Sequence, residues 1–353
     1  MQVNSLKLSN FRNLKGAEIY PDPNMNVICG PNAQGKTNII EAIWLFTGAK
    51  SFRGAKDNEL VNFDENSAKI SLSFLGEGTE KQAEIEIEQS RVAYFNDKKL
   101  SSPAKLAGKF LSVVFSPTDL KLVKDSPSVR RKFLDLSIGK LNPVYIDLLL
   151  KYNRILTQRN SLLKDIRYNS SAFDMLASFD EQIIPIAEKI VQYRKDYVAL
   201  LCKTAGEIYK GISGDKETLS VEYELSYEND FKTALSEALR QDAIVGSTSV
   251  GPHRDDLIFK INNNNARQFS SQGQQRSIAI ALKLAEAAVI REKTGENPVA
   301  LLDDVFSELD PSRQDYILNH IKDWQVFVTC CDPANIKNLS GGKIFNVLNG
   351  EIK

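Results

Sequence analysis

The stretch Gly30-Pro31-Asn32-Ala33-Gln34-Gly35-Lys36-Thr37 decides the fold. It reads G-x-x-x-x-G-K-T, the spacing of a phosphate-binding loop. Gly30 and Gly35 permit the tight turn in which backbone N–H groups point at phosphate oxygens. Lys36 brings an ammonium group to the β- and γ-phosphates, and Thr37 brings a hydroxyl group to Mg²⁺. The stretch therefore predicts binding of a nucleoside triphosphate together with magnesium.

The segments on either side of this loop have the order that such a loop requires, which is strand, loop and helix. Met25 to Cys29 is short and mostly apolar, which predicts a buried strand. Ile39 to Phe46 is apolar at almost every position, which predicts a buried helix. The N-terminal end of that helix would point at the bound anion. The predicted fold class is therefore α/β.

Length and charge limit the classes of protein to which the chain can belong. Its 353 residues suggest about two domains. Lys plus Arg number 45, as do Asp plus Glu, so any DNA binding must use a local patch or one created by dimerisation. The N-terminus lacks the pattern of a signal peptide, and no apolar run is long enough to span a bilayer. We therefore expect a cytoplasmic protein with no membrane partner.

The segments before the loop and after its helix have the sequence patterns of β-strands. Val3 to Leu8 and Ala17 to Tyr20 are predicted strands, and residues 68–100 alternate apolar and polar positions. An antiparallel β layer on the nucleotide-binding fold is therefore expected. Lys50-Ser51-Phe52-Arg53-Gly54 is either a basic loop near the nucleotide or a plain surface turn.

Residues 126–212 have the pattern of a helical lobe inserted into a head made of residues 1–125 and 213–353. Apolar positions recur there at steps of three and four along two long stretches, which predicts an antiparallel helical pair. Arg130-Arg131-Lys132 at the start of the lobe is either a solvated face or a DNA contact. Basic residues also follow the first long stretch: Lys151, Arg154, Arg159, Lys164 and Arg167.

Two later segments are predicted to form the second half of the nucleotide site. Ser270 to Arg276 opens a helix predicted over Ser277 to Arg291, and a serine there caps the helix. Pro298 to Asp304 is an apolar strand that ends in two carboxylates. Asp303 is placed to hold magnesium, and Asp304 to orient or deprotonate the attacking water.

Taken together, these motifs resemble the SMC-like group of ABC-type ATPases, and in detail the RecF family. The resemblance covers essentially the whole chain, and the segments that carry it are Asn10-Phe11-Arg12-Asn13, Phe115-Ser116-Pro117, Arg130-Arg131, Gln158 to Leu163, Gly251 to Asp255 and Ser271 to Arg276. It implies an ABC-type P-loop ATPase head, a mixed sheet with an antiparallel layer, that carries a helical lobe.

The resemblance also implies a role for individual residues. Gly30 to Thr37 would bind ATP, with Arg12 near the nucleotide. Ser271, Gly273 and Gln274 resemble the ABC signature, which touches the γ-phosphate of ATP held by a second subunit. Thr37 and Asp303 would bind Mg²⁺, and Asp304 would be catalytic. ABC enzymes have Glu at the position of Asp304 and His near Thr329-Cys330-Cys331, so slow hydrolysis is expected.

The family function implied by the resemblance is ATP-dependent DNA binding in recombinational repair and replication-fork recovery. An ATP-gated homodimer with weak DNA-dependent ATPase activity would bind single-stranded DNA, double-stranded DNA and gap junctions. RecR and RecO would be its partners in loading RecA and supporting the SOS response. The alternatives are an SMC-like DNA tether, the ATPase subunit of a nuclease complex, and a transporter ATPase.

Overall fold

The computed structural model describes residues 1–165, 172–331 and 342–353, apart from the side chains of residues 172–174 and 308. The strands in these residues are β1 (Gln2–Phe11), β2 (Leu14–Ile19), β3 (Met25–Cys29), β4 (Ala68–Gly76), β5 (Thr79–Ile87), β6 (Arg91–Phe95), β7 (Lys98–Lys99), β8 (Ser112–Phe115), β9 (Leu219–Glu224), β10 (Asp256–Ile261), β11 (Asn264–Asn265), β12 (Val299–Leu302), β13 (Val326–Cys330), β14 (Lys343–Leu348) and β15 (Glu351–Ile352). The α-helices are α1 (Lys36–Leu45), α2 (Lys121–Lys124), α3 (Pro127–Leu141), α4 (Pro143–Asp165), α5 (Ala172–Ser213), α6 (Phe231–Val245), α7 (Ala266–Phe269), α8 (Gln272–Thr294) and α9 (Pro311–His320).

The chain divides into two compact units. We call the unit of residues 1–120, 211–214 and 276–353 the head, and the unit of residues 121–210 and 215–275 the helical unit. The predicted lobe, 126–212, differs from the helical unit mainly at its C-terminal boundary. Residues 215–275, which the sequence analysis assigned to the head, pack with the helices, because apolar positions of β9 and β10 are buried in that unit.

A sheet of order β15-β14-β3-β13-β12-β8 forms the centre of the head. Strands β14, β3, β13, β12 and β8 run parallel, so their carboxyl ends meet at one edge. Val27, Ile28 and Leu301 are fully buried, as expected for parallel strands covered on both faces. This confirms the predicted α/β class and places the phosphate-binding loop and the Asp303 strand at the same edge.

The second sheet of the head is antiparallel, with order β2-β1-β4-β5-β6-β7. Ile70 pairs with Ile85, and the alternate positions Ile70, Leu72 and Phe74 of β4 are buried. The period of two in the sequence therefore predicted this layer correctly. Asn96 and Asp97 adopt left-handed φ angles of 46° and 61° in the turn between β6 and β7.

Helices α3, α4 and α5 form the helical unit together with a small sheet of order β11-β10-β9. Leu163, Ile183 and Ile190 are fully buried, which agrees with the apolar seams read from the sequence. Arg159, one of the basic residues noted along the first long stretch, is also fully buried. Arg167, another of these basic residues, lies outside the described residues.

Candidate nucleotide site

The phosphate-binding loop joins β3 to α1 through a backbone that needs its glycines. Gly30 has φ 152° and Gly35 has φ 115°, and Ala33 between them is also left-handed, with φ 63°. A Cβ on Gly35 would come within 2.7 Å of Asn13 Oδ1. A Cβ on Gly30 would collide with the carbonyl oxygen of Val347. The loop is thus a compressed turn that larger residues would open.

Lys36 turns its side chain back across this loop. Its Nζ lies 2.5 Å from the carbonyl oxygen of Gly30 and 3.0 Å from that of Pro31. It also lies 3.7 Å from Cys331 Sγ, at the end of β13. The ammonium group is therefore held over the loop by carbonyl oxygens, and a phosphate would offer it a charged partner in their place.

Asp303 and Thr37 meet at the edge of the parallel sheet. The Thr37 hydroxyl donates to Asp303 Oδ1 at 2.7 Å, and the Thr329 hydroxyl donates to the same oxygen at 3.1 Å. Asp303 is only 7% exposed, and burial raises the pKa of its carboxyl group. The sequence analysis missed Thr329, which holds this carboxylate from the strand between β3 and β12.

This pair has the chemistry of a magnesium site. Mg²⁺ prefers oxygen ligands and is commonly bound by one or two side chains together with substrate phosphates and water. Asp303 and Thr37 supply a carboxylate and a hydroxyl oxygen, and a cation would compensate the buried charge that raises the pKa. In the described part of the chain, no cluster of three His, Cys, Asp or Glu residues is arranged to hold a metal.

Asp304 follows directly in a left-handed conformation, with φ 52°. Its N–H donates to the Thr329 hydroxyl at 2.9 Å, and its carbonyl oxygen accepts from the Ser307 hydroxyl at 2.8 Å. The Asp304 side chain is exposed, in contrast to that of Asp303. A non-glycine residue in this region of φ costs about 1–3 kcal/mol, and such strain concentrates at functional sites.

Arg12 makes an ion pair that the sequence analysis did not anticipate. Its Nε and Nη2 donate to the two carboxylate oxygens of Glu41 at 2.9 and 3.1 Å. Glu41 lies on α1 with its side chain fully buried, and the Ser51 hydroxyl donates to it as well. Glu41 stands among apolar positions of α1, and this pattern in the sequence could have indicated a buried carboxylate with a cationic partner. Whether Arg12 also contacts the nucleotide stays a prediction.

The residues beside Arg12 brace the phosphate-binding loop. Asn13 Nδ2 donates to the carbonyl oxygen of Gln34 at 3.0 Å, and Asn38 Nδ2 donates to Asn13 Oδ1 at 2.7 Å. Arg53 Nη1 donates to Asn38 Oδ1 at 2.9 Å. The loop at residues 50–54, left open in the sequence analysis, therefore lies against α1 beside the phosphate-binding loop.

The segment that resembles the ABC signature begins α8 and belongs to the helical unit, whereas Lys36, Asp303 and Asp304 belong to the head. The N–H of Gln274 donates to Ser271 Oγ at 3.2 Å, and the N–H of Ser271 donates to Gln274 Oε1 at 2.7 Å. This reciprocal capping box starts the helix at Gln272, five residues before the predicted Ser277. Ser271 is exposed and Gly273 partly so.

Two turns at the sheet edge lie near the phosphate-binding loop and the Asp303 strand. After β13, Cys331 donates its thiol to Asn32 Oδ1 at 3.1 Å. At the end of β8, Asp119 accepts from the N–H of Ser116 at 2.7 Å. Burial raises the pKa of Asp119 to about 6. Phe115 is linked to Asp303 by a backbone hydrogen bond of 2.9 Å, so this turn lies beside the Asp303 strand.

Comparison with known proteins identifies the family. The family described as RecF/RecN/SMC N terminal domain matches residues 2–350. The DNA replication and repair protein RecF of Clostridium novyi (strain NT) is 40% identical over 362 residues, covering 100% of this chain and 99% of the relative. This chain belongs to the RecF family. The RecF of Clostridium tetani (strain Massachusetts / E88) is also 40% identical, over 99% of each chain.

Solved structures agree on the fold. The chain matches a structure described as the recombination mediator protein RecF-ATPrS in RecFOR pathway with a TM-score of 0.93, 37% identity and coverage of 99% and 97% of the two chains. It matches the Smc head domain of Pyrococcus furiosus with a TM-score of 0.57 and 16% identity, which concerns the fold alone. The architecture of this RecF-family chain is that of an ABC-type ATPase head.

Proposed function

We propose that this RecF-family chain is an ATP-dependent DNA-binding protein of DNA replication and recombinational repair. One observation carries the proposal: the hydrogen bond of 2.7 Å between Thr37 and Asp303, which joins the phosphate-binding loop to the carboxylate that ends β12. It occurs in a chain whose relatives of 40% identity are named DNA replication and repair proteins.

The residues of the head have distinct roles in this proposal. Gly30 to Thr37 bind the triphosphate, with Lys36 moving from carbonyl oxygens to phosphate oxygens. Thr37 and Asp303 hold Mg²⁺, which neutralises phosphate charge when bound. Asp304 orients and deprotonates water. Its side chain is one methylene shorter than the glutamate of other ABC enzymes, and Cys331 replaces the histidine, so hydrolysis is slow.

Dimerisation couples ATP to DNA in the proposed mechanism. Ser271, Gly273 and Gln274 of one copy complete the nucleotide site of a second copy, so that ATP holds a homodimer together. The formal net charge of the chain is zero, so DNA binding depends on local basic surface brought together by the dimer. ATP thus acts as a switch for assembly.

The cellular role that we propose is taken from that of the relatives. A solved RecF is described as a recombination mediator protein in the RecFOR pathway, and we extend that setting to this chain. RecR and RecO are its proposed partners, and single-stranded DNA, duplex DNA and gap junctions are its proposed ligands. It would act in the cytoplasm to help load RecA, restore replication forks and support the SOS response. Within the described residues, no helix has the length and apolar character needed to cross a membrane.

The proposal is tested by fluorescence anisotropy of a labelled gapped duplex with ATP, with ADP and without nucleotide. We expect tight binding with ATP and weak binding in the other two states. Equal DNA affinity in all three states would contradict ATP gating. Absence of DNA binding under every condition would contradict the function as a whole.

A further inference from the structure

Within the helical unit, the loop between α5 and β9 places a carboxylate beside residues 271–274, which we call the signature segment. Glu217 Oε1 accepts from Gln274 Nε2 at 2.7 Å. The other carboxylate oxygen of Glu217 accepts from the Tyr209 hydroxyl at 2.7 Å, and Tyr209 on α5 is fully buried. Glu217 therefore joins the first turn of α8 to the C-terminal part of α5. No pattern in the sequence indicates this link.

The Gln274 side chain is bound at both of its polar ends inside one copy of the chain. Its Nε2 donates to Glu217, and its Oε1 accepts from the N–H of Ser271 at 2.7 Å. Only this orientation of the amide satisfies both neighbours, because a carboxylate accepts and a backbone N–H donates. An amide held in this way acts on the nucleotide site through Ser271 rather than by a contact of its own.

The geometry at Ser271 shows what this arrangement fixes. Ser271 Oγ accepts from the N–H of Gln274 at 3.2 Å, so the cap uses the hydroxyl group as an acceptor. The same hydroxyl group has one O–H donor, and no acceptor for it lies within hydrogen-bond distance among the described residues. Ser271 is also exposed. The cap therefore holds Ser271 with its donor available to an anion that arrives from outside the copy.

Hydrogen bonds also hold the backbone around Glu217. The N–H of Thr218 donates to Asn262 Oδ1 at 2.9 Å, and the N–H of Asn262 donates to the carbonyl oxygen of Thr218 at 3.0 Å. On the other side, the N–H of Asp215 donates to the carbonyl oxygen of Lys210 at 2.9 Å. The Glu217 carboxylate is therefore in place before a second copy arrives, which lowers the cost of association.

We infer that Glu217 is a positioning residue for ATP-gated dimerisation. It holds the Gln274 amide, and through it the exposed hydroxyl of Ser271, in the geometry that meets the γ-phosphate of ATP in a second copy. The inference rests on the proposed function and adds to the interface a residue outside the signature segment. It also lets α5 influence closure of the dimer, because Tyr209 of α5 binds the same carboxylate.

The test measures the dissociation constant of the ATP-bound dimer by sedimentation at several protein concentrations and saturating ATP. Glu217→Ala removes both hydrogen bonds, whereas Glu217→Gln keeps an acceptor for Gln274 and a polar group for Tyr209. Glu222→Ala is the matched control, because it removes an exposed carboxylate of β9 whose ion-pair partner is Lys260. Titration with a fluorescent ATP analogue and thermal melting accompany each variant.

We expect Glu217→Ala to weaken dimerisation by about tenfold or more, because Gln274 no longer holds Ser271 in place. Glu217→Gln should dimerise within about threefold of the parent, and Glu222→Ala within about twofold. The affinity of the monomer for ATP should stay parental in all three variants, because the phosphate-binding loop lies in the head.

A double-mutant cycle separates positioning from a general loss of stability. If Glu217 acts through Gln274, Glu217→Ala should cause less than about a twofold further loss of dimerisation in a Gln274→Ala background. Equal losses with and without Gln274 would overturn the inference, as would parental dimerisation of Glu217→Ala or a Glu217→Gln variant as weak as Glu217→Ala. Each of these outcomes leaves the proposed function intact, whereas a parent that stays a monomer with ATP would remove both.

Discussion

At the scale of single residues, Asp303 and Asp304 show how neighbours in sequence acquire different chemistry. Asp303 is buried and accepts hydrogen bonds from Thr37 and Thr329, whereas Asp304 is exposed on a left-handed turn. Burial disfavours the charged form of the first, so that a bound cation compensates it. The second remains open to water.

Lys36→Ala tests the phosphate-binding loop. The variant loses the cation that lies over the carbonyl oxygens of Gly30 and Pro31, so its ATP affinity should fall by about tenfold to 100-fold. Titration with a fluorescent ATP analogue measures this, with the exposed Lys7→Ala as control. Parental affinity in Lys36→Ala would show that triphosphate binds elsewhere.

Asp304→Asn tests the catalytic carboxylate. The amide cannot accept a proton from water, so hydrolysis should slow by about 100-fold or more while ATP affinity is retained. Phosphate release under saturating ATP is the measurement. Asp315→Asn makes the same change at an exposed position of α9 and should hydrolyse at the parental rate. If Asp304→Asn also keeps that rate, the base is another residue.

Asp303→Asn should separate stability from function. Burial raises the pKa of Asp303 in the folded state, so protonated Asp303 contributes favourably to the free energy of unfolding. This contribution is complete below the unfolded-state pKa, near pH 4, and is lost as the pH rises through the folded-state pKa. Without nucleotide, Asp303→Asn should therefore melt higher than the parent at neutral pH, with the difference shrinking towards about pH 4. The stabilisation of the parent by ATP and Mg²⁺ should be absent in the variant. Melting curves across pH test both statements, and a lower melting temperature at neutral pH would contradict the first.

At the scale of helices and strands, local periodicity predicted most of the fold. The alternation at Ile70, Leu72 and Phe74 predicted β4, and the apolar run at 299–302 predicted β12. Long-range partners were not predictable, because an ion pair such as Arg12–Glu41 leaves no periodic signal. The same holds for Thr329, which acquires its role only because β13 lies between β3 and β12.

Arg159 illustrates the same limit and provides a test of the helical unit. Its Nε donates to Asp180 at 2.7 Å, and its Nη1 lies 3.2 Å from Asp242, with all of the Arg159 side chain buried. Arg159→Leu would leave two carboxylates without their cation, at a cost of about 3–5 kcal/mol. Urea unfolding followed by circular dichroism should show the loss. Arg154→Leu on the exposed side of α4 should change stability by no more than about 0.5 kcal/mol, and equal midpoints for both variants would contradict the assignment.

At the scale of the whole molecule, the described chain divides into two compact units. The phosphate-binding loop, Asp303 and Asp304 belong to the head, and Ser271 and Gln274 belong to the helical unit. The sequence motifs predict a role at the nucleotide for both sets of residues, and these roles stay predictions. The sequence did not predict that residues 215–275 pack with the helices. No pattern in the short strands β9 and β10 indicates which sheet or helix covers them. The division into independently folding domains stays a prediction.

The central claim is that ATP joins two copies through the signature segment, and Ser271 tests it most directly. If Ser271 were only a helix cap, its replacement should cost about 0.5–2 kcal/mol of stability and leave dimerisation in place. Ser271→Arg adds bulk at the exposed start of α8 and should block closure while leaving ATP binding by the monomer intact. Light scattering at saturating ATP, paired with titration of a fluorescent ATP analogue, measures both properties. With ATP, the parent should have the mass of a dimer, whereas Ser271→Arg should bind ATP and remain a monomer. A Ser271→Arg variant that binds ATP and dimerises like the parent would contradict the ATP-gated dimer.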